Sequence, residues 1–141
     1  MNNLPAVLAL GLFLAACAPT LNSTAPVQIT TSVSYATQPP KAGEDNSVLA
    51  AIVAIAPTAP HEPTRQPWRA EDIERNSVVL RSNPNTVANT TFSLANYPQE
   101  MSWNVISAGG ITTVTATHSS AYAAAVSDIF AKLDAKFIRM K

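Results

Sequence analysis

A second cysteine is missing from this chain, and with it any intramolecular disulfide, because Cys17 is the only thiol. Histidine is nearly as scarce. His61 and His118 are the only two, and neither has a His, Cys, Asp or Glu three or four residues on. The pair His61-Glu62 looks like the start of a zinc HExxH motif, but the second histidine would fall at position 65, which is Arg65. No metal and no cofactor is therefore expected. An excess of charge of either sign is also lacking. Nine basic side chains balance nine acidic ones, which leaves no electrostatic footprint for nucleic acid or anionic lipid.

The signatures of common enzymes are absent as well. There is no P-loop, no Rossmann fingerprint and no GxSxG elbow. Ser119, Ser120, His118 and Asp128 supply the residue types of a hydrolytic triad, but a triad is defined by geometry rather than by types. In "RAEDIER", Arg69 to Arg75, the neighbouring carboxylates Glu71 and Asp72 have no visible partner or apolar pocket that would raise a pKa. That stretch reads as a solvated face, and no enzyme is expected.

What the chain does have begins at its first residues. Leu4 to Ala16 is an apolar run of thirteen residues, too short for a hydrocarbon core that needs about 20 helical residues. An apolar run of this length closed by small residues has the layout of a secretory signal peptide. The amino terminus alone supplies its positive charge, the first basic side chain being Lys41. Its end, Leu14-Ala15-Ala16-Cys17, resembles the lipobox of bacterial lipoproteins. That resemblance implies cleavage after residue 16, a diacylglycerol on the Cys17 thiol and acylation of the new amino terminus. Two acyl chains suffice for stable anchoring. By the enterobacterial sorting pattern, Ala18 rather than Asp after the cysteine implies an outer-membrane lipid anchor facing the periplasm, with the inner membrane and the cell surface as other destinations.

Beyond the expected signal peptide at 1–16, residues 17–46 read as a lipidated terminus and a Thr/Ser/Pro-rich tether, uncharged as far as Pro40. Within it, "VQITTSVSY", residues 27–35, alternates Val27, Ile29, Thr31, Val33 and Tyr35 with polar side chains, the period of a half-buried strand, or of a tether that pairs only with a partner's sheet edge. Residues 47–67 combine an apolar segment, "SVLAAIVAIA", with a run in which Pro57, Pro60, Pro63 and Pro67 enforce extended backbone. The length of the apolar segment fits a short helix or a buried strand; Asp45, Asn46 or Ser47 could cap a helix there and Pro57 would stop it, which favours helix. The proline run is the expected internal boundary.

Residues 68–141 then read as the folded domain. "NSVVLRS" and "NTTFSL" (76–82 and 89–94) flank Asn83-Pro84-Asn85, strong turn chemistry, and are expected to form a hairpin. "MSWNVIS" and "ITTVTATH" flank Gly109-Gly110, which supplies the positive φ angles of a tight hairpin turn. From Ser119 or Ser120 the period becomes helical. Tyr122, Val126, Ile129, Phe130, Leu133 and Phe137 gather on one face, with Lys132, Lys136, Arg139 and Lys141 toward the negative end of the dipole. The expected fold is α+β, a small antiparallel sheet of about four strands in a meander, covered by a C-terminal amphipathic helix from about Ser120 to Arg139.

Two functions of different classes fit these features. The first is a non-enzymatic envelope lipoprotein, an accessory or structural component of a protein assembly with an envelope protein as partner. The second is a periplasmic glycan- or peptide-binding module using the exposed aromatics Trp68, Tyr97 and Trp103 as stacking surface. Of these, Trp103 shares a strand face with Met101 and Val105 and is expected in the core, whereas Trp68, between Pro67 and Arg69, is the better contact residue.

Overall fold

The computed structural model describes residues 25–86 and 97–141. Its strands are β1 (Gln28–Ala36), β2 (Arg69–Glu71), β3 (Ser77–Ser82), β4 (Gln99–Ala108), β5 (Ile111–Ser119) and β6 (Ile138–Arg139), with helices α1 (Ser47–Ile55) and α2 (Ala123–Asp134). The strands form one sheet in the order β2-β3-β4-β5-β1-β6, and every neighbouring pair is antiparallel. The class is α+β, but the sheet has six strands rather than about four. The two extra neighbours of the β2–β5 meander, β1 and β6, come from opposite ends of the chain.

The alternation in 27–35 makes β1 an integral strand rather than part of a tether, paired with β5 in nine consecutive register positions. The apolar run after it forms α1. Asn46 caps this helix, its side chain accepting from the amides of Val48 (3.0 Å) and Leu49 (3.3 Å). Val48, Leu49, Ile52 and Ile55 are buried, so residues 47–55 belong to the core.

The proline run that follows is not a boundary either. Gln66 N donates to Asn83 O (2.8 Å), Asn85 N to Thr64 O (3.0 Å), and the buried Ser82 hydroxyl to Gln66 O (2.6 Å). Prolines forbid a central strand, yet the backbone they extend can line an edge. The segment is accordingly stitched to the chain leaving β3.

Residues 89–94, expected to fold back on 76–82, lie outside the described residues. β3 has β2 on one side and β4 on the other, with Leu80 opposite both Ala70 and Met101. The Gly109-Gly110 hairpin forms as its chemistry requires, with φ of 59° and 80° between Ala108 and Ile111.

One parity of side chains points from every long strand into a single core. Val33 and Tyr35 of β1, Val78 and Leu80 of β3, Met101, Trp103 and Val105 of β4, and Val114 and Ala116 of β5 pack with the buried faces of both helices. α2 contributes Val126, Ile129, Phe130 and Leu133 as its period demands, with Tyr122 and Phe137 half-buried at its ends. It is shorter than the pattern suggested. The helix stops at Asp134, and the chain turns back to lay Ile138 and Arg139 against Ala36 and Tyr35.

Among the described residues, no helix covers the opposite face of the sheet. Thr30, Ser32 and Ser34 of β1 stand beside Thr117, Thr115 and Thr113 of β5, with hydroxyl pairs at 3.4, 2.8 and 3.0 Å. This is a flat, uncharged hydroxyl face, bordered toward β2 by a charged cluster around Arg81.

Candidate functional site

Cys17 lies outside the described residues. Among the described residues, no helix is long and apolar enough to cross a membrane, and no group of His, Cys, Asp or Glu side chains is placed to hold a metal. The aromatic surface expected of a binding module does not assemble. Trp68 and Trp103 are each 1% exposed, which corrects the placement of Trp68 at the surface. Its indole is drawn inward because Nε1 donates to Pro60 O (2.9 Å) while its ring meets Tyr122 edge-on at 5.5 Å. Tyr97 remains open at 57% exposure, with neither tryptophan offering a face beside it.

The other residues singled out in the sequence have structural partners. Glu71 and Asp72 converge on Arg81, each at 2.8 Å, and Glu100 joins them at 2.6 Å. Their partner was invisible in the sequence because it sits on the adjacent strand. The hydrogen bonds that Arg81 donates to Glu71 and Glu100 hold its guanidinium above its ordinary value. Asp128 is bound to Lys132 (2.7 Å) rather than to a histidine. His118 is buried and its Nδ1 donates to Ser119 O (2.8 Å). Ser119 itself caps the turn before α2, its hydroxyl accepting from Ala121 N (3.3 Å). No triad is formed by these groups. His61 is exposed.

The feature that sequence reasoning missed is the outer edge of β1. Consecutive residues of a strand direct their backbone groups to opposite sides. In β1 the odd-numbered residues face β5: Val27 O accepts from Ser120 N and Thr37 N donates to Gly110 O. The even-numbered ones face outward, where Ser34 O accepts from Met140 N (2.9 Å). β6 covers this edge only at Tyr35 and Ala36. The N–H and C=O groups of Gln28, Thr30 and Ser32 thus face outward beyond the reach of β6.

Beside this edge, on the covered side of the sheet, a groove of about 340 Å³ runs between β1 and α2. Ile29, Thr31 and Val33 form one wall at a two-residue pitch, and Val126, Ser127 and Phe130 form the other. His118 lies in its floor, next to Ile29 in the register. Asp134 and Arg139, paired at 3.1 Å, close one end. Asp134 also accepts from the Tyr35 hydroxyl (2.9 Å). Burial, reinforced by this carboxylate, pushes the Tyr35 phenol above its usual range.

Comparison with protein-family models, with curated proteins and with solved structures found no match to this chain.

Proposed function

We propose that this chain is a lipid-anchored protein of the bacterial cell envelope, exported by residues 1–16 and held by acyl chains on Cys17, whose α+β domain is a non-enzymatic component of a protein assembly. The lipobox-like Leu14-Ala15-Ala16-Cys17 supports the anchor. Ala18 favours the outer membrane, facing the periplasm. The observation that carries the assembly role is the unfinished edge of β1: outward-facing backbone groups beside an apolar groove are what one protein offers another. Stacking of a glycan on aromatics has less support, since Trp68 and Trp103 are in the core.

The anchor is tested by Cys17→Ser, which should abolish palmitate incorporation and move the protein from the membrane to the soluble fraction. Retention in the membrane without label would overturn it. The assembly role is tested by crosslinking from Ser127 or Thr31 in native membranes, which should trap a distinct partner. A chain that crosslinks to nothing at either position would refute that role.

A further inference from the structure

The two edges of this sheet are built differently. At one edge β2 is only three residues long, carries Arg69 and Glu71, and ends at Asp72, whose φ of 47° takes the chain out of the strand. Short length, charge and a sharp exit are the usual ways in which an edge is kept from pairing with another chain. At the other edge, β1 from Gln28 to Val33 reads Gln-Ile-Thr-Thr-Ser-Val. It has no charge, no proline and no interruption in its register with β5. Among the described residues, pairing there is left open, and only over a defined length. Pro26, which has no N–H, precedes the outward-facing series at one end, and Met140 at Ser34 blocks the other.

We propose that this gap takes an added strand from a partner protein: an uncharged segment of about five residues, antiparallel to β1 and in line with β6, with apolar side chains at alternate positions in the groove and Ser or Thr at the positions between. The inference rests on the reading of the domain as an assembly component and names the chemistry of what it takes. An extended backbone satisfies the donors and acceptors at Gln28, Thr30 and Ser32 together, at the repeat at which they are spaced. The antiparallel direction follows that of every pair in the sheet, including β6 in the same lane.

Handedness then decides the side chains. In an antiparallel neighbour on this edge, residues whose side chains enter the groove turn their backbone groups away from β1. Residues on the open face turn theirs toward it. The groove walls, Val33 and Ile29 against Val126 and Phe130, suit small aliphatic groups. On the other face the neighbours are Thr30 and Ser32, already paired with Thr117 and Thr115, and a further hydroxyl extends those rows.

A second copy of the chain fits less well. Pairing β1 with itself sets Pro26 either opposite the other copy's Thr30 or Ser32, where it has no N–H to give, or in the lane already held by that copy's Met140.

The test uses the peptide acetyl-Lys-Thr-Val-Thr-Val-Thr-Lys-amide. It should protect the amides of Gln28, Thr30 and Ser32 from hydrogen exchange. N-methylation of its Thr residues should weaken binding about tenfold or more, and N-methylation of its Val residues should leave it nearly unchanged. Thr30→Pro, which removes the central donor, and Ser127→Arg, which fills the groove mouth from an exposed position, should each abolish binding at unchanged melting temperature. Equal loss on methylating Val or Thr, or protection away from β1, would overturn the proposal. So would protection that rises with protein concentration alone, the mark of a second copy. Peptide binding that obeys the pattern while crosslinking in membranes finds no partner would retain the strand site and refute the assembly role.

Discussion

The indole of Trp103 in β4 meets the phenyl ring of Phe130 in α2 with centroids 5.1 Å apart and planes tilted by 51°. This contact joins the most regular strand to the helix that covers it, and both side chains are nearly sealed, at 1% and 6% exposure. Phe130→Ala should cost about 3 to 5 kcal/mol, as removal of a buried aromatic ring does. Lys132 lies off the buried stripe but is not idle. Its ammonium reaches Asp128 (2.7 Å) and both the carbonyl and hydroxyl of Thr58 (3.1 and 2.9 Å). Lys132→Ala should cost about 0.5 to 1 kcal/mol, the range of partly exposed pairs. Urea unfolding of both variants gives the comparison, and equal effects would mean that α2 is not docked through Phe130.

The two buried tryptophans should respond differently to replacement by phenylalanine. Trp68 Nε1 donates to Pro60 O, whereas buried Trp103 Nε1 has no hydrogen-bond partner among the described residues. Loss of a satisfied bond strands the Pro60 carbonyl, while loss of an unsatisfied donor removes a penalty. Trp68→Phe should therefore be less stable than Trp103→Phe by about 1 kcal/mol or more, read from the midpoints of denaturant unfolding.

Tyr35 makes stability depend on alkaline pH. Its phenol titrates at 10.0 in the unfolded chain and higher in the fold. In the window above pH 10 the unfolded state has lost this proton and the native state retains it, so stability falls as pH rises. Below that window the contribution is fully present. The slope from this group is at most about 1.4 kcal/mol per pH unit. Tyr35→Phe should flatten the decline above pH 10 while leaving the profile between pH 6 and 9 parallel to the wild type. Tyr122, raised mainly by burial, adds to the same window, so the double phenylalanine variant should be flatter still.

Asn46 performs two tasks that can be separated. Its side-chain oxygen caps α1 through Val48 and Leu49, and its amide donates to Ser107 Oγ at 2.7 Å. Asn46→Ala should cost about 1 to 2 kcal/mol for the cap, with a further penalty from the bond to β4. Asn46→Asp retains the cap acceptor and loses the donor, so it should fall between wild type and Asn46→Ala in thermal unfolding near neutral pH.

Local periodicity made much of this architecture legible. Alternation at Met101, Trp103 and Val105, positive φ at Gly109-Gly110, and the 3.6-residue stripe through Val126, Ile129, Phe130 and Leu133 each report a residue's own neighbours along the chain. Those readings became β4, the β4–β5 turn and α2. The proline run misled because prolines fix φ without fixing what the backbone meets: Pro57 sits in a 3-10 turn, Ala56–Thr58, and the stretch from Thr64 to Gln66 is laid against Ser82, Asn83 and Asn85 rather than solvated. The carboxylates Glu71 and Asp72 misled similarly: Arg81 is ten residues from Glu71 along the chain and 2.8 Å away in space.

The sequence by itself determined the longer elements with a clear period, β1, β4, β5 and α2, and which side of each is apolar, because backbone and side-chain period are properties of consecutive residues; the short strands β2 and β6 carry no such period. Tertiary structure alone decided the partners. Ser32 and Thr115 share a hydroxyl contact across 83 residues, and β6 reaches β1 only because α2 ends at Asp134 and the chain doubles back. Pairing between distant strands is set by whichever arrangement buries all apolar faces in one core, and the length of β6 then sets how much of β1 remains open. Hence the strand at 27–35 could be read one residue at a time, whereas its free edge, the groove beside it and the burial of Trp68 emerged only when the whole sheet had closed over α1 and α2.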